Sequence, residues 1–96
     1  MNKTLGLAMR ARKLTLGTEL VLKELSASKI KLVLISDQAS SNTKKLLANK
    51  TTHYNVELKE VDDYILNQSI GKTGIKVVGV IDQGFADLLI SKGGMW

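Results

Sequence analysis

Four positions in this chain carry the residue types and the spacing for recognition chemistry: Gly17, Thr18, Glu19 and Lys23. Gly17 lets the backbone turn sharply or approach a ligand closely, and Thr18 is a good N-cap for a helix that starts there. Glu19 and Lys23 then stand one helical turn apart on one face. As a recognition edge, Lys23 would contact phosphate or a guanine edge and Glu19 would accept hydrogen bonds from base amino groups. As plain structure, the two are a solvated i,i+4 pair, with Glu19 at the favourable positive end of the helix dipole. The stretch alone leaves both readings open.

Other candidates carry less. Gly71-Lys72-Thr73 invites a phosphate-loop reading, but that motif needs a glycine five residues earlier, where Leu66 stands. It also needs a strand before the loop and a helix after it, and the pattern here is the reverse. The loop at 71–74 reads instead as a flexible basic contact surface. Asp82 and the Asp62-Asp63 pair lack a His, Cys or acidic partner at an interpretable spacing, so Asp62 is a helix cap and Asp82 a turn residue. His53, the one histidine, reads as a surface or half-buried residue, and no cysteine exists. Thiolate catalysis, disulfides and thiolate or His-rich metal sites are excluded, and no cofactor is implied. No catalytic constellation is visible, so an enzyme acting on a small-molecule substrate is not expected.

The elements that must position these residues follow from periodicity. Residues 2 to 12 place Leu5, Ala8 and Met9 on one side of a first helix ending near Lys13. Leu14-Thr15-Leu16 is a short strand, and the helix after Gly17 turns Val21, Leu22, Leu25 and Leu20 toward a core. Lys31 to Ile35 is an apolar run without alternation, as in a strand covered on both faces. Ser40, Ser41 and Asn42 offer caps for a third helix with Thr43, Leu46, Leu47 and Lys50 on one side. Val56-Glu57-Leu58 alternates as an edge strand should. Asp62 caps a fourth helix with Val61, Tyr64 and Ile65 on its buried side. Ile75 to Ile81 is another covered strand, and Phe85, Leu88 and Leu89 form the inner stripe of a last helix. This order predicts an α/β fold, a three-layer α/β/α sandwich around four strands, in a single domain spanning 1–96.

Charge is unevenly placed. Residues 1–50 hold ten lysines and arginines against three acids, whereas residues 51–96 hold four against six. A one-sided basic footprint suits a polyanion, and ordinary solubility charge is the competing explanation. Four aromatics argue against a single-strand stacking platform. No apolar run approaches the length of a membrane helix and the N-terminus lacks a signal-peptide pattern, so a soluble cytoplasmic protein is expected.

With the elements in order, the chain resembles the ribosomal protein L7Ae family of kink-turn RNA-binding proteins, and looks most like its bacterial YlxQ-like branch. The resemblance runs through Gly6 to Lys13, Gly17 to Leu25, Lys31 to Ile35, Ala39 to Thr43, Ile70-Gly71-Lys72 and Asp82 to Ala86. It implies a three-layer α/β/α sandwich around a four-stranded mixed sheet and non-enzymatic binding of structured RNA, ribosomal RNA or kink-turn-like internal loops, with ribosome or ribonucleoprotein components as partners. In that family RNA is gripped by the turn and first residues of the helix after the first strand, and by a loop before the last strand. Gly17 matches the family's glycine, Glu19 its polar position and Lys23 its lysine. Leu20 stands where Glu or Gln is expected to hydrogen-bond the sheared G·A pairs. The second loop is typically apolar, whereas Lys72-Thr73-Gly74 is polar and basic. The resemblance thus implies a recognition edge of Gly17, Thr18, Glu19 and Lys23 beside the loop of Lys72 and Thr73, and the segment just before Gly17 is expected to add Arg10, Arg12 and Lys13 as phosphate contacts on the same side. A protein-interaction module that keeps the fold without the RNA, associated with translation or transcription machinery, is the alternative.

Overall fold

The computed structural model describes residues 1–91; Trp96, which the sequence leaves either packed or free, lies outside them. Nine elements alternate along the described residues: α1 (Lys3–Arg10), β1 (Leu14–Leu16), α2 (Thr18–Ser26), β2 (Leu32–Ser36), α3 (Ser41–His53), β3 (Glu57–Val61), α4 (Asp63–Ile70), β4 (Val77–Val80) and α5 (Gln83–Ser91). The four strands form one mixed sheet in the order β1-β4-β2-β3. β2 and β3 pair in parallel, and β4 runs antiparallel to both β1 and β2. β3 is the edge strand its alternation predicts, although it extends to Val61.

Every residue of β2 is buried, because the sheet is covered on both faces. Alternate side chains of a strand point to opposite faces. Leu32 and Leu34 join Leu5, Leu66, Ile70, Ala86 and Leu89 in one core beneath α1, α4 and α5. Val33 and Ile35 join Val21, Leu25 and Leu47 in a second core beneath α2 and α3. The three-layer α/β/α architecture is therefore as the sequence predicts. Gly79 of β4 belongs to the second face, where a Cβ would come within 2.6 Å of Ile30 Cδ1. Its missing side chain lets that layer close on the sheet.

Several side chains depart from the periodic reading. Leu20 is 55% exposed and Tyr64 is 70% exposed, and Leu46 and Leu88 also face outward. In α4 the inner positions are Leu66, Asn67, Ser69 and Ile70, and in α5 they are Ala86 and Leu89, while Val61 belongs to β3. The neighbouring layer decides which apolar residues of a helix fill its inner positions, and helices of eight or nine residues such as α2, α4 and α5 have room for few. His53 is exposed at the end of α3, edge-on to Tyr54 with ring centroids 4.7 Å apart. No helix among the described residues is long and apolar enough to cross a membrane.

Candidate nucleic-acid interface

Because β1, β2 and β3 all run opposite to β4, their C-terminal ends and the start of β4 share one end of the sheet. The chain leaves these strands into α2, α3 and α4, so three helix N-termini, each with unpaired N–H groups and the positive end of a dipole, gather at that end. Two of them are capped by side chains. Ser40 Oγ accepts from the Thr43 N–H at 3.1 Å, and Asp62 Oδ2 accepts from the Ile65 N–H at 2.9 Å. The third, α2, has Gly17 at its cap and no side-chain cap bond.

Thr18 is thus the first helical residue and not the cap that its type predicts. The reason lies in the sheet. The Gly17 N–H still donates to the Val77 carbonyl at 2.9 Å, so pairing with β4 runs on through the glycine. The chain must then turn in one residue, and it does so at φ 99° and ψ 147°, a conformation open almost only to glycine. Thr15 Oγ1 donates to the Glu24 carboxylate and ties β1 to the helix that follows. Glu19, Leu20 and Lys23 are exposed on α2. Glu19 and Lys23 do not form the ion pair that their spacing permits; the ion pairs among the described residues are Lys44–Glu60 and Lys76–Asp63.

The loop at 71–74 arrives beside Gly17 because β4 begins there. Asn67, only 7% exposed, fastens it. Its Nδ2 donates to the Asp63 and Ile75 carbonyls, each at 3.0 Å, and its Oδ1 accepts from the Ile75 N–H at 2.9 Å. The Lys72 N–H donates to the Asn67 carbonyl at 2.9 Å. With both ends of the loop held, Lys72 and Thr73 stand exposed at its tip. A cleft of about 340 Å³ opens between α4 and this loop, walled by Tyr64, Asn67, Gln68, Lys72, Thr73 and Gly74.

Beneath the loop, Asp63 Oδ1 accepts from Lys76 Nζ at 2.8 Å and from Ser36 Oγ at 2.5 Å, while the Asp63 N–H donates to Asp37 Oδ1 at 3.1 Å. The Lys76 and Ser36 bonds hold the Asp63 carboxyl below its ordinary value of 3.8, against an opposing push from burial. Between the folded and the unfolded value, the unfolded chain binds more protons, so stability rises with pH there. The stabilisation by Asp63 should be complete above about pH 4 and should disappear as pH falls through its lowered folded value. Urea unfolding at a series of acid pH values checks this: Asp63→Asn should flatten part of the acid limb, and an unchanged limb would refute it.

The structure therefore brings Gly17, Thr18, Glu19, Lys72 and Thr73 to one end of the sheet, with Lys23 on the next turn of α2. It does not bring Arg10, Arg12 and Lys13 there. The Ile81 N–H donates to the Lys13 carbonyl at 2.9 Å, whereas Gly17 pairs with Val77. Four residues of extended chain separate Lys13 from Gly17 by about 13 Å, and Arg10 and Arg12 belong to the same far end. The expectation that these three line the same side as Lys72 is corrected on this register. Sequence reasoning also passed over Asn67, Lys76 and Ser36. Their signal was a polar residue inside an apolar pattern, Asn67 between Leu66 and Ile70 and Lys76 between Ile75 and Val77.

Comparison with known proteins agrees with this architecture. The chain is 50% identical over 88 residues to the RNA-binding protein YlxQ of Bacillus subtilis, covering 91% of this chain and 88% of that one. It is 42% identical over 83 residues to the RNA-binding protein YlxQ of Enterococcus faecium, covering 85% and 80%. Neither relative is named for a reaction. A Bacillus halodurans protein of unknown function superposes with a TM-score of 0.89 at 39% identity, covering 93% of this chain and 91% of that one. The Giardia lamblia 15.5kD RNA binding protein shares the fold at a TM-score of 0.79 and 13% identity, covering 92% and 77%. Since the family model spans residues 1–90 and the relatives align along nearly the whole chain, this protein belongs to the ribosomal protein L7Ae/L30e/S12e/Gadd45 family.

Proposed function

We propose that this protein binds structured RNA in the cytoplasm and catalyses no reaction. The observation that carries the reading is the convergence of two exposed features at one end of the sheet: the N-terminus of α2 without a side-chain cap, and the Lys72-Thr73 tip fastened by Asn67. The YlxQ relatives, named as RNA-binding proteins, support it. Backbone N–H groups at a helix start receive an anion without further machinery. Lys23 and Lys72 supply phosphate contacts, which give affinity and salt dependence but little sequence information. Glu19 accepts hydrogen bonds from base amino groups, and Gly17 allows close approach. Ribosomal RNA and kink-turn-like internal loops are the targets this geometry suits, because folded RNA is read at bends and non-canonical pairs.

Leu20 modifies the expectation. It is exposed on the recognition helix where the kink-turn pattern has Glu or Gln, so it offers the sheared G·A pairs an apolar surface and no hydrogen bond. The same exposed leucine favours the second reading, a protein-interaction module of the translation or transcription machinery. Co-purification with and without ribonuclease separates the two, since a protein partner survives the nuclease.

The direct test is a titration against a kink-turn RNA and against the same RNA with its G·A pairs changed to Watson–Crick pairs, at two salt concentrations. Tighter binding to the first means that kink-turn specificity survives Leu20. Equal, salt-dependent binding means a phosphate-dominated binder. The double variant Lys23→Glu, Lys72→Glu should weaken binding about tenfold or more and lower the salt slope by about two. Unchanged affinity in that variant would refute the proposal.

A further inference from the structure

The far end of the sheet carries a second group of cations. Lys13 and Lys31 flank the end of β4: the Ile81 N–H donates to the Lys13 carbonyl at 2.9 Å, and the Lys31 N–H donates to the Val80 carbonyl at 2.7 Å. With β4 between them, their backbones lie about 10 Å apart. Arg12 precedes Lys13, Lys29 precedes Lys31 by two residues, and Arg10 ends α1 beside them. All five are exposed, and none belongs to an ion pair among the described residues. The acid nearest in sequence to β4's end, Asp82, is engaged as a cap, accepting from the Phe85 N–H at 2.9 Å. Like charges held this close without partners repel one another, and an incoming polyanion relieves that repulsion.

Two further observations point the same way. Arg12 sits at φ 59°, the residue after the α1 C-cap, with the Lys13 N–H bonded back to the Ala8 carbonyl at 3.0 Å. Helices that end in this way usually place glycine there. A bulky arginine is strained at that φ, so its backbone gives it no reason to be there, whereas its charge does. Beside Lys31 a cleft of about 250 Å³ is walled by Ser28, Tyr54, Asn55 and Gln83 among others, which puts hydrogen-bonding groups next to the cations.

We infer that Arg12, Lys13, Lys29 and Lys31 form a second RNA contact, which grips the phosphates of a segment flanking the one held at the Gly17 end. The inference rests on the RNA-binding reading above and adds a place to it. The molecule measures 29 × 26 × 21 Å, so an RNA reaching both ends must follow its surface along the length of the sheet. Length of the bound RNA therefore becomes a determinant of affinity.

The probe is a hairpin RNA with a tandem G·A internal loop, in a short form that ends at the loop and a long form with flanking helices. Wild-type protein should bind the long form at least tenfold more tightly and with a steeper salt dependence. The triple variant Lys13→Glu, Lys29→Glu, Lys31→Glu should bind the two forms alike, with the slope for the long form lower by about two to three. A triple variant that keeps the wild-type preference and slope overturns the inference. If Lys23→Glu, Lys72→Glu still weakens binding tenfold or more in that case, the first interface stands without the second; if neither variant changes binding, both readings fall. Arg12→Gly gives an independent arm. Relief of the backbone strain should raise Tm while affinity for the long RNA falls severalfold, and a stabilised variant with undiminished affinity would contradict the assignment.

Discussion

Asn67→Leu is expected to lower the unfolding free energy by about 3 kcal/mol and to release the loop that carries Lys72. The leucine matches the amide in size but makes none of its three hydrogen bonds. The Ile75 N–H, the Ile75 carbonyl and the Asp63 carbonyl all lose a partner in a site where Asn67 itself is 7% exposed. A buried polar group left without a partner costs about 1–3 kcal/mol, and the three are not additive because water reaches part of the loop. Urea denaturation gives the stability loss, and amide exchange at Ile75 gives the local opening. Lys72→Ala supplies the contrast. Its side chain is at the exposed tip and holds nothing, so stability should remain within about 0.5 kcal/mol of wild type while RNA affinity falls. Equal stability of Asn67→Leu and wild type would refute the role of the amide as the loop's fastener.

Gly17→Val is the second large effect, expected at about 2–3 kcal/mol of stability with a parallel loss of RNA affinity. Its origin is conformational and not steric in the ordinary sense. A Cβ at Gly17 would meet nothing within 4 Å, so no clash with a neighbour explains the cost. The cost comes from φ 99°, which an L-residue adopts only under strain and a β-branched one least of all. Gly17→Ala should therefore cost most of what valine costs, although alanine fits the space. A D-alanine introduced by chemical synthesis should cost less than either, since its mirror-image preference includes positive φ. Relief of the strain in the L-variants would swing the first turn of α2 away from β4 and move Glu19 with it. Thermal unfolding of the three variants checks the order, and a harmless Gly17→Val would show that the turn tolerates another path.

How much of this was legible in the sequence varies from residue to residue. The order of elements could be read because the apolar runs at Lys31–Ile35 and Ile75–Ile81 differ in period from the helices between them. Asp62 was legible as a cap because its side chain acts within its own chain neighbourhood. Leu20, Tyr64 and Leu88 were misplaced because a helix of eight or nine residues shows its inner stripe in two or three positions. Only the layer packed against it selects among the apolar candidates. Thr18 was misread because β4 holds Gly17 in the sheet, a constraint from a strand sixty residues away. The candidate site divides in the same manner. Gly17, Glu19 and Lys23 are a local pattern, and Lys72 joins them through the register of β1 on β4. Arg12 and Lys13 are close to Gly17 in sequence, but an extended strand converts those few residues into the whole length of the sheet.

The order of the strands also governs how this protein meets copies of itself. A sheet edge is a row of free backbone donors and acceptors that can recruit another chain, and the two edges here are β1 and β3. β1 is three residues long, too short to template a cross-chain ladder. β3 carries Glu57, Lys59 and Glu60 among its five residues, so any strand added beside it must accommodate charged side chains. The apolar strands β2 and β4, whose sequences would aggregate most readily, are interior. Resistance to edge-to-edge aggregation is thus built into the placement of the strands, with the two most apolar segments paired on both sides and only short or charged backbone left at the rims.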